Sequence, residues 1–191
     1  MVDEPVAGAS VSSDAEELVL VDARDRVRGH ASKAACHDGE GLLHRAFSLF
    51  VFNGEGALLL QQRSAGKRLW PGYWSNTCCS HPLRGESMDE AVRRRLWQEL
   101  GMRCEPRYLY KFRYRADYRG LGAEHELCSV YLGSSDAPVR ANATEVAAWR
   151  FVLPADLDAE TRTAPERFTP WLLLEWQRLR SDFRHEFRGR A

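Results

Sequence analysis

Residues 87–101 read SMDEAVRRRLWQELG, and this stretch carries the clearest helix signature in the chain. Ser87 and Glu90 stand at capping-box spacing, where a hydroxyl and a carboxylate three residues apart satisfy each other's backbone amides. Gly101 supplies the stop, because a left-handed C-cap suits a residue without Cβ. Met88, Val92, Leu96 and Leu100 step by four and define the buried stripe. Glu99 follows Val92 by about two turns, so it points near the middle of that stripe and not at water. A carboxylate directed inward is costly unless it is paired or bound to a metal. Arg95, one turn back, offers the pair and a divalent ion offers the alternative; helical spacing leaves both open.

Just ahead of the helix lies NTCCSHPLRGES, residues 76–87. In an extended segment, residues two apart share a face and neighbours oppose. Cys79 and His81 then point together, while Cys78 points the other way into packing. The same rule applied to Glu124-His125-Glu126 sets both glutamates on one face and His125 on the other. His37 and His44 lie in KAACHDGEGLLHRAF, ahead of a strand. Each alone reads as a hydrogen-bonded or surface histidine. Together with His81, Glu124 and Glu126 they would make a shell of three imidazoles and two carboxylates. Such a shell suits Zn²⁺, Mn²⁺ or Mg²⁺, with ligand softness unable to choose among them. The spacing is not that of a zinc finger. Arg63, Lys67 and Lys33 are candidates for an anionic substrate, since Arg63 ends a strand and Lys67 follows in the next loop. Taken singly, basic residues of this kind are solvated surface charge.

The wider composition bounds the function. The chain has 191 residues, enough for one domain with a real core. Lys+Arg and Asp+Glu both number 27, so no global field exists for nucleic acid or a membrane surface. Recognition of a charged ligand must come from local clusters. The five cysteines are odd in number and irregularly spaced, which favours reduced thiols and a cytoplasmic location over a disulfide scaffold. Apolar runs such as LVLV are too short to span a bilayer. Residues 1–16 read as a flexible tail, 17–185 as a single domain and 186–191 as a C-terminal tail. Strands are expected at 18–22, 45–52, 57–63, 108–116, 126–133 and 146–152. Asn53-Gly54-Glu55-Gly56 forms a hairpin turn between the second and third of these. RLWPGYWSNTCC, residues 68–79, reads as a loop leading into extended chain. A last helix is expected over 169–183, with Pro170 suited to its first turn.

WPGYWSNTCCSHPLRGES, the downstream RRRLWQELG, FRYRA and the EHELC segment together resemble type I isopentenyl-diphosphate delta-isomerases. The likeness runs in order from Lys33 to about Trp171. It implies a single-domain α/β fold of Nudix type, a mixed sheet between helices. Against the Nudix hydrolase box, G-x5-E-x7-R-E-U-x-E-E-x-G-U with U a bulky apolar residue, Ser80 falls on the first Gly and Glu86 on the first Glu. Arg94 falls on the box Arg. Arg95 and Gln98 replace two carboxylates that a diphosphate hydrolase uses to hold metal and activate water. Glu99 survives. A Nudix diphosphohydrolase is therefore the alternative reading, and a non-catalytic metal- and phosphate-binding module is a third.

The resemblance also implies a reaction and its residues. Isopentenyl and dimethylallyl diphosphate interconvert by protonation of an alkene and loss of a different proton, which needs an acid and a base about one carbon skeleton. By resemblance Glu126 with Tyr114 protonates, Cys79 removes or returns the other proton, and the Trp171 indole faces the cation. A thiolate at Cys79 would be helped by nearby positive charge. The resemblance makes His37, His44, His81, Glu124 and Glu126 the ligands of one divalent ion, and Glu99 the carrier of a Mg²⁺ bridging the diphosphate. Lys33, Arg63, Lys67 and Arg95 would neutralise the remaining charge. A monomer or weak homodimer is expected.

Overall fold

The computed structural model describes residues 10–187; residues 1–9 and 188–191, within the two expected tails, lie outside the described residues. In chain order the strands are β1 (Glu17–Val21), β2 (Val27–Ser32), β3 (His44–Phe52), β4 (Leu58–Arg63), β5 (Trp74–Ser75), β6 (Cys78–Ser80), β7 (Arg107–Asp117), β8 (Ala123–Ser134) and β9 (Val146–Val152). The helices are α1 (Lys33–His37), α2 (Met88–Leu100), α3 (Pro154–Thr163) and α4 (Pro170–Asp182).

All nine strands join one mixed sheet. Its spine is β3, which runs parallel to β8 from His44↔Glu126 to Phe52↔Ser134. The other edge of β3 pairs antiparallel with β6, from Phe47↔Ser80 to Leu49↔Cys78. Strand alternation then sorts the core into two layers. Phe47, Leu49 and Val51 pack with Leu59 against Val92, Leu96 and Leu100 of α2. Phe50 and Phe52 pack with Leu58 and Leu60 against Leu157 of α3 and Leu172, Trp176 and Leu179 of α4. The sheet is thus sandwiched between helices, as the sequence implied.

Helix α2 begins with the expected capping box. Ser87 Oγ accepts from the Glu90 amide at 3.3 Å, and Glu90 Oε2 accepts from the Ser87 amide at 2.9 Å. Gly101 ends the helix at φ 63°, a conformation that costs a residue with Cβ far more. Ser87→Ala should therefore destabilise the domain by about 1 kcal/mol, read as a shift in the urea midpoint with an unchanged slope.

Three elements were not expected: β2, α1 and α3. β2 lies at the sheet edge and buries none of its residues fully, and α3 buries only Leu157, so neither shows a clear apolar period. α1 is a single turn capped by Ser32.

Candidate active site

The register of three neighbouring strands builds the centre of the site. His44 of β3 lies opposite Glu126 of β8, and Glu126 lies opposite Tyr114 of β7. One row across the sheet therefore carries a histidine, a carboxylate and a phenol on a common face. Tyr114 Oη donates to Glu126 Oε2 at 2.7 Å. Two residues earlier on β8, Glu124 shares that face and meets His37 Nε2 at 2.9 Å. His125 turns to the other face and meets Arg113. Just past β6, His81 Nε2 lies 3.1 Å from Glu126 Oε1.

The ligand atoms of His37, His44, His81, Glu124 and Glu126 all lie within 4.8 Å of one another, and all five residues are buried. Their environment fits a divalent cation. Nδ1 of His37 meets the Lys33 carbonyl and Nδ1 of His44 the Leu42 carbonyl, each at 2.7 Å. A proton on Nδ1 satisfies those carbonyls and leaves Nε2 as a lone pair aimed into the cluster. His44 Nε2 is fully buried and makes no hydrogen bond. Such an orphan is expensive unless something electropositive occupies the centre. Burial and the neighbouring His37 hold His44 down at about 4, so it is neutral and ready to ligate at pH 7. Burial and the adjacent Glu124 raise Glu126 well above the usual carboxylate range. Gly122 guards this geometry: at φ 152°, a Cβ there would collide with the His37 carbonyl oxygen.

Cys79 and Cys78 separate as the alternation rule requires. Cys78 is fully buried in the α2 layer. Cys79 lines the pocket, with Sγ 2.7 Å from Asn76 Oδ1, 3.5 Å from Ser48 Oγ and 3.2 Å from the Trp171 indole nitrogen. The expectation that positive charge lowers this thiol is not met. Burial first, then the Glu175 carboxyl, pushes it up. The resting group is a thiol, and the indole N–H is the donor placed to stabilise a thiolate when one forms. The Trp171 ring also carries the Arg63 guanidinium 5.2 Å from its centroid.

At the other end of the cavity, which measures about 370 Å³, stand Lys33, Arg63, Lys67 and Arg95. Carbonyl oxygens of Trp70 and Leu69 hold Arg63 at 3.1 and 2.8 Å, and no carboxylate pairs with it among the described residues. Trp70 itself has φ 48°, an unusual conformation for a bulky residue and one that cavities of functional importance tend to retain. Lys67 pairs with Glu145. Arg95 is buried and bonded to Glu99 Oε1 at 2.6 Å, to Glu145 Oε2 at 3.1 Å and to the Val11 carbonyl at 2.6 Å. Ser12 meets the Lys33 ammonium, so residues 10–14 lie across this end of the cavity.

All of the residues singled out in the sequence line this cavity except His44 and Glu99. His44 belongs to the same cluster but has no exposed surface. Glu99 sits behind Arg95, held also by Gln61 Nε2 at 3.1 Å. Of the two readings of Glu99, the pair with Arg95 is the one the geometry contains. Glu145 was missed. It follows an Asn142 turn, in which Asn142 Oδ1 accepts from the Thr144 amide, and that turn was its only local signal. Of the remaining hydrolase-box positions, Glu86 is bonded to Arg94 at 2.6 Å and Gln98 to Arg94 at 3.2 Å, so neither serves the pocket.

Fold and site together define a Nudix-fold protein. The NUDIX domain family matches residues 42–172. DR0079 from Deinococcus radiodurans superposes with a TM-score of 0.70 at 25% identity, over 85% of this chain and 98% of that one. A MutT protein from Methanosarcina mazei Go1 shares the fold, with a TM-score of 0.61 at 19% identity, over 77% and 96% of the two chains. Within that class the chain belongs to the isopentenyl-diphosphate Delta-isomerase family. It is 43% identical to isopentenyl-diphosphate Delta-isomerase 1 of Photorhabdus laumondii, over 84% of this chain and 93% of that one. It is 46% identical to the isopentenyl-diphosphate Delta-isomerase of Burkholderia multivorans, over 82% and 88% of the two chains.

Proposed function

We propose that this chain interconverts isopentenyl and dimethylallyl diphosphate, with Glu126 and Cys79 as the two proton-transfer groups. The observation that carries the reading is their placement. Both line one cavity, on strands that flank β3 from its two edges, and Lys33, Arg63, Lys67 and Arg95 line the same cavity. The diphosphate binds at Lys33, Arg63, Lys67 and Arg95. Arg63 is favoured as a direct contact because, among the described residues, its charge has no carboxylate partner to surrender. The hydrocarbon then extends between Cys79 and Glu126 under the Trp171 ring.

Glu126, hydrogen-bonded by Tyr114, gives its proton to the terminal alkene carbon and becomes a carboxylate. The substrate becomes a tertiary carbocation, and Cys79, reacting as the thiolate under the Trp171 indole N–H, accepts a proton from the neighbouring methylene to form the internal double bond and becomes the thiol; return of one proton to the Glu126 carboxylate resets the pair. Burial and Glu124 keep the Glu126 carboxyl protonated and so supply the proton to be given, while the weak basicity of the alkene is what the metal's pull on that carboxyl would have to offset. A closed apolar wall of Leu69, Trp70, Tyr114 and Trp171 keeps water from trapping the cation. A divalent ion held by His37, His44, His81, Glu124 and Glu126 would fix the Glu126 carboxyl and tune its acidity; Zn²⁺, Mn²⁺ and Mg²⁺ all suit this donor set. Glu99 would be the protein carboxylate for a Mg²⁺ that accompanies the diphosphate, on releasing its bonds to Arg95 and Gln61.

Proton NMR of isopentenyl diphosphate incubated with the protein and Mg²⁺ tests the reading. The dimethylallyl isomer should appear without phosphate release. Release of phosphate without isomer would instead mark a hydrolase and overturn it.

A further inference from the structure

Glu175 lies buried beneath the cavity, and the reaction above gives it no task. It stands on α4 one turn after Trp171 and has no exposed surface. A leucine would fill a core helix position at far lower cost, so a carboxyl there calls for a polar reason. Glu175 Oε1 accepts from the Cys128 thiol at 3.5 Å, and the same carboxyl bonds the Ser48 hydroxyl. Cys128 Sγ also lies 3.5 Å from Ser48 Oγ. Ser48 in turn lies 3.5 Å from Cys79 Sγ, directly opposite it in the β3–β6 register. Three side chains from β3, β8 and α4 therefore form a closed polar patch that touches the rest of the protein's chemistry at Cys79.

The groups facing Glu175 from each packed element are Ser48 of β3, Cys79 of β6, Tyr110 of β7, and Cys128 with the more distant Glu126 of β8. None is a cation. Arg178, on the same helix, lies over the Tyr110 ring at 4.0 Å, and no ion pair reaches Glu175 among the described residues. Its Oε2 has no hydrogen-bond partner, a situation that a neutral acid tolerates better than an anion. Burial without a compensating cation pushes this carboxyl up to about 8.

We propose that Glu175, as an uncharged acid, is a positioning residue for Cys79: it holds the Ser48–Cys128 pair, and Ser48 holds the thiol toward the cavity. The inference rests on the reading of Cys79 as a proton-transfer group. No bond to substrate forms at Glu175 and no proton leaves it during turnover. Its ionisation would set an anion beside the sulfur, oppose thiolate formation and slow the reaction.

The test is the isomerisation rate of the full, metal-loaded chain from pH 6 to 10, for wild type, Glu175→Leu and Glu175→Gln. Wild-type kcat should fall above about pH 8, where Glu175 loses its proton, with KM little changed. Glu175→Leu should lower kcat at pH 7 by about tenfold, as expected for a misplaced reacting group, again with KM nearly unchanged. Glu175→Gln should restore most of that rate and should lack the alkaline fall. An alkaline fall in Glu175→Gln equal to that of wild type would overturn the proposal, as would a wild-type kcat in a folded Glu175→Leu. Should the leucine variant fail to fold by circular dichroism, the pH profile of the glutamine variant decides. Wild-type turnover by Cys79→Ala in the same assay would overturn the role of Cys79 itself, which keeps the two failures distinct.

Discussion

Cys79→Ala is expected to lower isomerisation by roughly 10²–10⁴-fold, the usual contribution of a positioned proton-transfer group, while the fold stays intact. The side chain is small, and its sulfur is held by groups that survive its loss: Asn76, Ser48 and the Trp171 indole. Thermal unfolding should therefore shift little. Proton NMR in D₂O reads the catalytic loss directly, because exchange at the substrate's allylic carbon requires the group that removes that proton. Exchange at the wild-type rate in the variant would show that another group performs this step. The neighbouring Cys78→Ala provides the contrast. Cys78 is fully buried against α2, so its truncation leaves a small cavity and costs stability, on the order of 1 kcal/mol, with turnover retained. Rate is thus expected to depend on one cysteine and stability on the other.

That separation was legible because it depends only on strand alternation. The same holds for Glu124 and Glu126 against His125, and for the apolar stripe and caps of α2. Each is a local rule with a period of two or of about four, so the chain states it within a dozen residues. The hairpin at Asn53–Gly56 was legible for the same reason: Asn53 Oδ1 accepts from the Ala57 amide at 2.8 Å, a bond that short-range sequence can encode. The environment of Cys79 was not legible. Its upward shift comes from dry walls and from Glu175, which is nearly a hundred positions away on α4. The partners of Arg95 divide along the same line. Glu99, four residues on, was one of the two partners helical spacing left open; Glu145, fifty residues on, was not foreseen. Exposed elements were also lost, since β2 and α3 bury too little apolar surface to imprint a period.

Glu126→Gln should remove turnover as fully as Cys79→Ala, but with a second signature. The amide keeps the shape and the contact with Tyr114, yet it has no acidic proton to give and is a weaker metal ligand. A loss of roughly 10²–10⁴-fold in rate is expected from the acid alone. Metal content after dialysis should fall in parallel. Glu124→Gln separates the two roles, because Glu124 belongs to the same cluster without holding Tyr114. Excess divalent metal should therefore recover activity in Glu124→Gln and not in Glu126→Gln; recovery in both would reduce Glu126 to a ligand. The pH dependence of metal uptake has a definite sign. Burial works against charge on His37, but Glu124 outweighs it and raises the imidazole above its ordinary value. Metal must displace that proton, so affinity should rise with pH and fall on acidification. In the metal-free chain the His37–Glu124 pair works the other way: its stabilisation is fully present below the ordinary imidazole pKa and is lost as pH rises through the raised one. Thermal melts with and without metal should thus diverge as pH increases, and parallel curves would show that His37 does not titrate against the metal.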